Sequence, residues 1–271
     1  MIEKHLNTVP LWFFENLLKH REIYHFVSTR RGGFSNPPYD SLNLGFHVGD
    51  NPETVLRNRE RLAMALGIPM DNFTTARQTH GSNVEIITKA SRGCGAVDFD
   101  SAIDATDAMV TDTPGICLMV LQADCVPLLF FDLKKKVIGV AHAGWRGTVR
   151  MIAQNMVKVL KEKFNCLPDD ILVGIGPSIG PCCYEVGSEV VVQTGEASQH
   201  KRKYIYETPD GKHYFNLWEA NKMQLVHAGI PEKNMEIAGM CTYCNHTHFF
   251  SYRYQQRETG RFGVGIMLLD S

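Results

Sequence analysis

Three short segments of this chain carry side chains that could do chemistry together. They are Gln78-Thr79-His80-Gly81, Ala123-Asp124-Cys125-Val126-Pro127 and Ala141-His142-Ala143-Gly144-Trp145-Arg146-Gly147. In each, a His or Cys stands where an apolar strand pattern begins or gives way to a turn. Several strands could therefore bring His80, Cys125 and His142 to one sheet edge. Two imidazoles and a thiolate are sound Zn2+ ligands. Three protein ligands leave a fourth position for water or substrate, the arrangement of a catalytic rather than a structural site. The three residues are distant along the chain, and spacing alone also fits a buried thiol with two hydrogen-bonded core histidines.

The elements that must position these residues follow from periodicity. Apolar or alternating runs predict strands at 23–29, 84–88, 108–111, 116–122, 128–132, 137–141 and 172–175, with late strands at 249–252 and 262–268. A helix is predicted over 52–66, with Asn51 as N-cap, Pro52 in its first turn and Gly67 as its stop. Residues 148–163 form an amphipathic pattern. Residues 215–228 read as a helix closed by Gly229, with Asn216 as a cap. Residues 30–38 and 176–187 are Gly/Pro-rich loops, and the polar stretch 193–212 is a surface excursion. Strands outnumber regular βαβ units, which favours α+β with a large mixed sheet over a doubly wound fold.

Composition narrows the partners. The net charge of −1 over 271 residues argues against a general nucleic-acid binder, which carries a basic excess. It leaves room for a local basic pocket that takes a phosphate-sized anion. Apolar residues at 44% and charged residues at 21% are those of a soluble globular protein, long enough to bury a core without disulfide staples. The most apolar stretch, 115–131, is interrupted by Gln122, Asp124 and Pro127, so no membrane span is expected. Residues 1–7 lack a basic stretch followed by an apolar run, and the eight cysteines are expected to be reduced thiols in the cytoplasm.

The string from Asp124 to Gly147, with Gln78-Thr79-His80-Gly81, closely resembles the YfiH family, also called laccase-domain proteins. Thr29-Arg30-x-Gly32-Gly33-x-Ser35, Ser41-Leu42-Asn43-Leu44-Gly45-x-His47-Val48-Gly49-Asp50 and Asn58-Arg59 fit it too. So do Gly174-Ile175-Gly176-Pro177-x-Ile179, Cys182-Cys183-Tyr184-Glu185-Val186, Asn216-Leu217, Cys241-Thr242, Phe249-Phe250-Ser251-Tyr252-Arg253 and Thr259-Gly260-Arg261. The resemblance spans nearly the whole chain and implies one domain over 1–271. One departure is Tyr254, where the family usually has a second basic residue, followed by an inserted Gln255-Gln256.

The resemblance implies an α+β fold, a mixed β-sandwich with flanking helices of the CNF/YfiH-like type. It implies one Zn2+ on His80, Cys125 and His142. It also implies purine nucleosides and inorganic phosphate as partners, with phosphorolysis of adenosine, inosine and methylthioadenosine and deamination of adenosine. The older laccase label implies copper and phenol oxidation, and a role in correcting misbuilt peptidoglycan precursors is attached to some members.

Deamination needs water activated for attack at purine C6, and a carboxylate to move protons. Asp124 is the candidate, either for proton transfer or for orienting a ligand histidine. Phosphorolysis needs a fixed cation for phosphate; Arg59 and Arg146 are the candidates, each also readable as a structural or surface ion pair. Asn43 could bind substrate or cap a turn. Cys241-x-x-Cys244-x-His246-x-His248 has the spacing of a metal or redox cluster; a structural zinc site is one reading, structural residues or a surface pair the better one, and the adjacent Cys182-Cys183 is expected to diverge and pack. Phe249, Phe250 and Tyr252 read as strand core rather than a base-stacking platform.

Three rival functions stand beside the zinc nucleoside enzyme. One is a metal-independent hydrolase with Cys125 as nucleophile and His142 as base, which the resemblance supports because the family fold is similar to that of a deamidating bacterial toxin that uses Cys and His. The others are a copper polyphenol oxidase and a non-enzymatic metal-binding envelope or division factor. A monomer or a small homo-oligomer is compatible with all of them.

Overall fold

Alternation along two strands sets the architecture. In Cys117–Gln122, Leu118 and Val120 enter one apolar cluster while Cys117, Met119 and Leu121 enter another. In Val126–Asp132, Leu129 and Phe131 share the first cluster with Leu118 and Val120, whereas Val126, Leu128 and Phe130 enter a third. Strands buried on both faces need four layers, and four layers are present.

The structure is a computed structural model that describes residues 1–197, 203–256 and 258–270. The first sheet has six strands in the order Ile2–Leu6, Val9–Phe13, Ile23–Ser28, Phe262–Leu268, Cys117–Gln122 and Phe73–Thr74. The second also has six, in the order Met235–Ile237, Ile171–Ile175, Val126–Asp132, Ile138–Ala143, Ala108–Thr111 and Val84–Ile86. Both sheets are mixed, with one parallel pair in the first and two in the second. Their facing sides interlock through Val264, Ile266, Leu118 and Val120 against Leu129, Phe131, Ile138 and Val140. Helix Pro52–Leu66 covers the outer face of the first sheet through Leu62, Ala63, Ala65 and Leu66. Helices Ile152–Phe164 and Leu217–His227 cover the outer face of the second. This is the expected α+β sandwich with flanking helices.

Helix Pro52–Leu66 has the bounds expected of it. Asn51 accepts the Thr54 N–H at 3.1 Å, and Gly67 closes the helix in the left-handed conformation. Asn216 likewise caps Leu217–His227, although Phe215 ends a strand instead of opening that helix.

Four expectations need correction. The pattern at 148–163 is two helices, Trp145–Val149 and Ile152–Phe164, split at left-handed Met151. The Thr148 carbonyl accepts Gln224 Nε2, and Asn221 bonds the Thr148 hydroxyl, so side chains of a third helix brace the break. Residues 249–252 are not a strand. Phe249 and Phe250 are core, as expected, but they hang from a turn in which the Phe249 N–H bonds the Asn245 carbonyl, and Tyr252, expected in the core with them, is exposed on the cavity wall. The stretch 193–212 is not wholly surface: Thr194, Tyr204 and Ile205 are buried, and Ile205–Glu207 pairs with His213–Phe215. Its residues 198–202 lie outside the described residues. The loop 176–187 contributes Glu185–Val186 to that same small sheet.

Candidate metal centre and its cavity

Four neighbouring strands of the second sheet deliver four polar residues to one edge. Cys125 precedes Val126–Asp132, His142 lies near the end of Ile138–Ala143, Asp107 precedes Ala108–Thr111, and His80 lies in the loop before Val84–Ile86. The antiparallel register sets Val126 opposite Ala143 and Pro127 opposite His142, so Cys125 emerges beside the end of the histidine strand. Ala108 faces Ala141, and the His142 N–H bonds the Asp107 carbonyl at 2.7 Å. The ligand atoms of His80, Cys125 and His142 lie within 4.8 Å of one another, and the two imidazole rings meet edge to face at 4.8 Å. Gly144 has to lack a side chain, because a Cβ there would sit 2.9 Å from Cys125 Sγ and 3.0 Å from His80.

Asp107 organises this group and was not singled out from the sequence. Its Oδ1 lies 2.8 Å from His142 Nδ1. The same carboxylate accepts the backbone N–H groups of Thr79, His80 and Gly81 and the Thr79 hydroxyl. It therefore holds His80 in its left-handed conformation, φ 59°, while fixing the His142 ring so that Nε2 is the free ligand atom. Burial would raise the Asp107 carboxyl, but His142 and the Gly81 and Thr79 N–H groups hold it down at about 2. Burial would also raise the Cys125 thiol; His142 facing it, with hydrogen bonds from His142 and His80, lowers it instead. His142 is shifted up: burial opposes protonation, but Cys125 and Asp107 outweigh it. Gln78 ties the edge to the first sheet, exchanging two hydrogen bonds of 2.8 Å with the Leu121 backbone.

The group lines a cavity of about 480 Å3, the size of a small-molecule site. Arg146, Arg253 and Arg261 line it, as do the rings of Trp145, Tyr184 and Tyr252. Arg261 is half-buried and spends Nη1 on the carbonyls of Thr259 and Gly260, with no carboxylate ion pair among the described residues. Burial lowers the pKa of Arg261. His47 also lines the cavity; desolvation there, then the nearby Arg261 and Arg59, lower its pKa.

The model of a family described as multi-copper polyphenol oxidoreductase laccase matches residues 24–269. The chain belongs to this family. A relative from Geobacillus stearothermophilus named purine nucleoside phosphorylase YlmD is 40% identical over 236 residues, covering 87% of this chain and 86% of the relative. A protein of unknown prokaryotic origin named adenosine deaminase RL5 is 37% identical over 242 residues, covering 89% and 92%. The crystal structure of Bacillus licheniformis hypothetical protein YfiH superposes with a TM-score of 0.91 at 36% identity, covering 96% of each chain.

Among the residues singled out in this family member, Arg146 reaches the cavity wall, stacked 4.4 Å over the Trp145 ring. Arg59 does not. It lies on the buried face of helix Pro52–Leu66, its donors spent on the carbonyls of Leu44, Gly95 and Ala96 and its plane over Phe46. Arg59→Met should therefore leave the phosphate KM unchanged and lower stability by at least about 2 kcal/mol, because the Leu44 and Ala96 carbonyls lose the guanidinium and that of Gly95 keeps only the Thr75 hydroxyl. Denaturant midpoints and phosphate titrations of the same variant check both halves. Asn43 is a brace as well: it accepts the N–H groups of Gly45 and Arg261 and donates to Asp50.

Asp124 lines the cavity, but the orienting of a ligand histidine falls to Asp107. The Asp124 oxygens accept the Thr242 hydroxyl at 2.6 Å and the Arg253 N–H at 2.7 Å, and burial raises its carboxyl. At the family departure, Tyr254 stacks on His246 at 3.7 Å, while Gln255 accepts from Arg30 and Thr259. The expected divergence of Cys182 and Cys183 is overturned, because both thiols meet those of Cys241 and Cys244 within 4.8 Å. His246 and His248 stay outside that group.

Proposed function

We propose that this protein is a zinc-dependent purine nucleoside enzyme, acting as one domain in the cytoplasm. It phosphorolyses adenosine, inosine and methylthioadenosine and deaminates adenosine. The observation that carries the proposal is a three-ligand His–Cys–His group in a cavity whose wall also holds three arginines and three aromatic rings. The names borne by the relatives from Geobacillus stearothermophilus and of unknown prokaryotic origin support both reactions.

The donor set fits zinc: one thiolate and two imidazoles, with a carboxylate on the far nitrogen of His142. When bound, zinc supplies a Lewis acid that activates water near neutral pH for attack on the purine ring. The remaining work falls to the chain itself. Arg146 and Arg261 hold inorganic phosphate beside the ribose with charge-assisted hydrogen bonds. Tyr184, Tyr252 and Trp145 offer faces to the base and exclude water from its ring. Asp124 anchors the backbone of Arg253 and so positions that wall. The single His80–Cys125–His142 group fits one ion, whereas multi-copper chemistry needs several centres linked by paired histidines.

Product analysis tests the proposal. With phosphate, adenosine should give adenine and ribose 1-phosphate; without it, inosine and ammonia. Neither product from any purine nucleoside would contradict it. Arg146→Met, on an exposed side chain, should raise the phosphate KM about tenfold or more and leave the phosphate-independent rate within about twofold.

A second reading has its own observation. Asp107 bonds His142 Nδ1 at 2.8 Å, and the same imidazole stands within 4.8 Å of the Cys125 thiol, an order suited to a base-activated thiol nucleophile. Turnover that survives full removal of metal and is lost on thiol alkylation would favour it.

A further inference from the structure

The second thiol-rich group stands apart from the nucleoside cavity chemistry. Cys182 and Cys183 lie in a turn in which the N–H groups of Cys183 and Tyr184 both bond the Gly180 carbonyl, at 3.0 Å each. Such a turn rotates successive side chains by about 100° instead of sending them to opposite faces, so adjacent thiols can meet one centre. Cys241 and Cys244 come from a turn that follows Met240, held to the first by the Ser178 and Thr242 backbones. The four sulfurs lie within 4.8 Å of one another, Cys182 to Cys244 at 3.8 Å and Cys183 to Cys244 at 3.4 Å. A tetrahedron with metal–sulfur bonds of about 2.3 Å has sulfur–sulfur edges of about 3.8 Å. All four are free thiols, too far apart for the disulfide length of about 2.05 Å. The Gly180 N–H also points at Cys241 Sγ, 3.2 Å away, a donor suited to a thiolate. A Cβ on Gly180 would meet Trp218 at 2.8 Å and Cys241 at 3.0 Å, so the turn closes only with glycine there.

We propose that Cys182, Cys183, Cys241 and Cys244 form a second, structural metal centre that binds Zn2+ through four thiolates. Each turn supplies two ligands, and each leads into a wall of the cavity: Ile179 and Tyr184 on one side, Tyr252 and Arg253 on the other. The centre clamps these two walls together. Four thiolates with no open position suit a closed structural site, in contrast to the three-ligand group 80/125/142.

Metal analysis of the full chain, purified under reducing conditions, separates the two centres. Wild type should carry two zinc ions per chain. Cys125→Ala, which leaves all four cysteines in place, should carry one, and the double variant Cys182→Ser/Cys244→Ser should carry the other. After stripping and loading with Co2+, Cys125→Ala should show thiolate-to-metal charge-transfer absorption about fourfold stronger than the double variant, following the number of thiolates. The double variant should keep its kcat for adenosine while its KM rises several-fold. Cys125→Ala protein that binds no zinc, or that carries iron instead, overturns the proposal. So does wild-type zinc content equal to that of the double variant. A failed nucleoside assignment would leave these metal counts unchanged, so the two claims fall separately.

Discussion

Cys125→Ala should leave a folded protein that turns adenosine over at least about a hundredfold more slowly than wild type. Loss of a residue that merely orients a metal ligand costs about 10- to 100-fold, and removing a ligand itself costs no less. Cys125 is one of only three donors in the group, and two imidazoles alone do not make a three-coordinate site. The fold should survive, because the strand before Cys125 is held by its ladder with Phe262–Leu268 and the strand after it by the Val126–Ala143 ladder, not by the thiol. Thermal midpoints should differ between variant and wild type when zinc is present and converge in chelator, since a bound ion stabilises only the state that binds it. His142→Ala should behave alike in metal content and rate. Wild-type turnover in either variant would remove the group from the reaction.

Asp107→Ala should be the most damaging change at a residue that touches no substrate. It would strip one carboxylate from three backbone N–H groups, one hydroxyl and one imidazole. Breaking a buried ion pair costs about 3–5 kcal/mol, and each orphaned buried donor adds to that. Asp107→Asn keeps an oxygen for part of this network but cannot hold His142 in the same tautomer. It should fold, bind zinc about 10- to 100-fold more weakly and lose kcat in proportion, with partial rescue by excess zinc. Wild-type zinc affinity in Asp107→Asn would show that the carboxylate only shapes the loop. Calorimetry of unfolding and competitive zinc titration read the two effects separately.

The grouping of His80, Cys125 and His142 was legible because the three share a local signature, a side chain of ligand type at the boundary of an apolar strand. Asp107 has the same signature, at the start of 108–111, and could have been found by asking which carboxylates precede strands. What sequence periodicity does not carry is the order of strands in a sheet. Only that order puts the starts of three strands and the end of a fourth on one edge. Arg59 misled because an arginine among polar neighbours on a helix looks like a surface cation; its burial depends on Leu44, Gly95 and Ala96, all distant along the chain. Arg261, half-buried on the cavity wall, was hidden because its place beside Asp124 and Cys125 comes from segments distant along the chain. The cysteine group was hidden by a rule for extended chain, which the turn at 180–184 does not obey. The outer hairpin Ile2–Leu6 and Val9–Phe13 went unpredicted; its first strand is largely exposed and lacks a clear period.

The most direct test of the central claim is zinc add-back. Protein stripped of metal is given Zn2+ in substoichiometric steps, and adenosine consumption is followed at each step in wild type and in Cys125→Ala. Stripped wild type should show negligible turnover and a recovery that saturates once the His80–Cys125–His142 group is filled, and the variant should show no recovery. Full turnover by the stripped protein, or equal recovery in the variant, would contradict it.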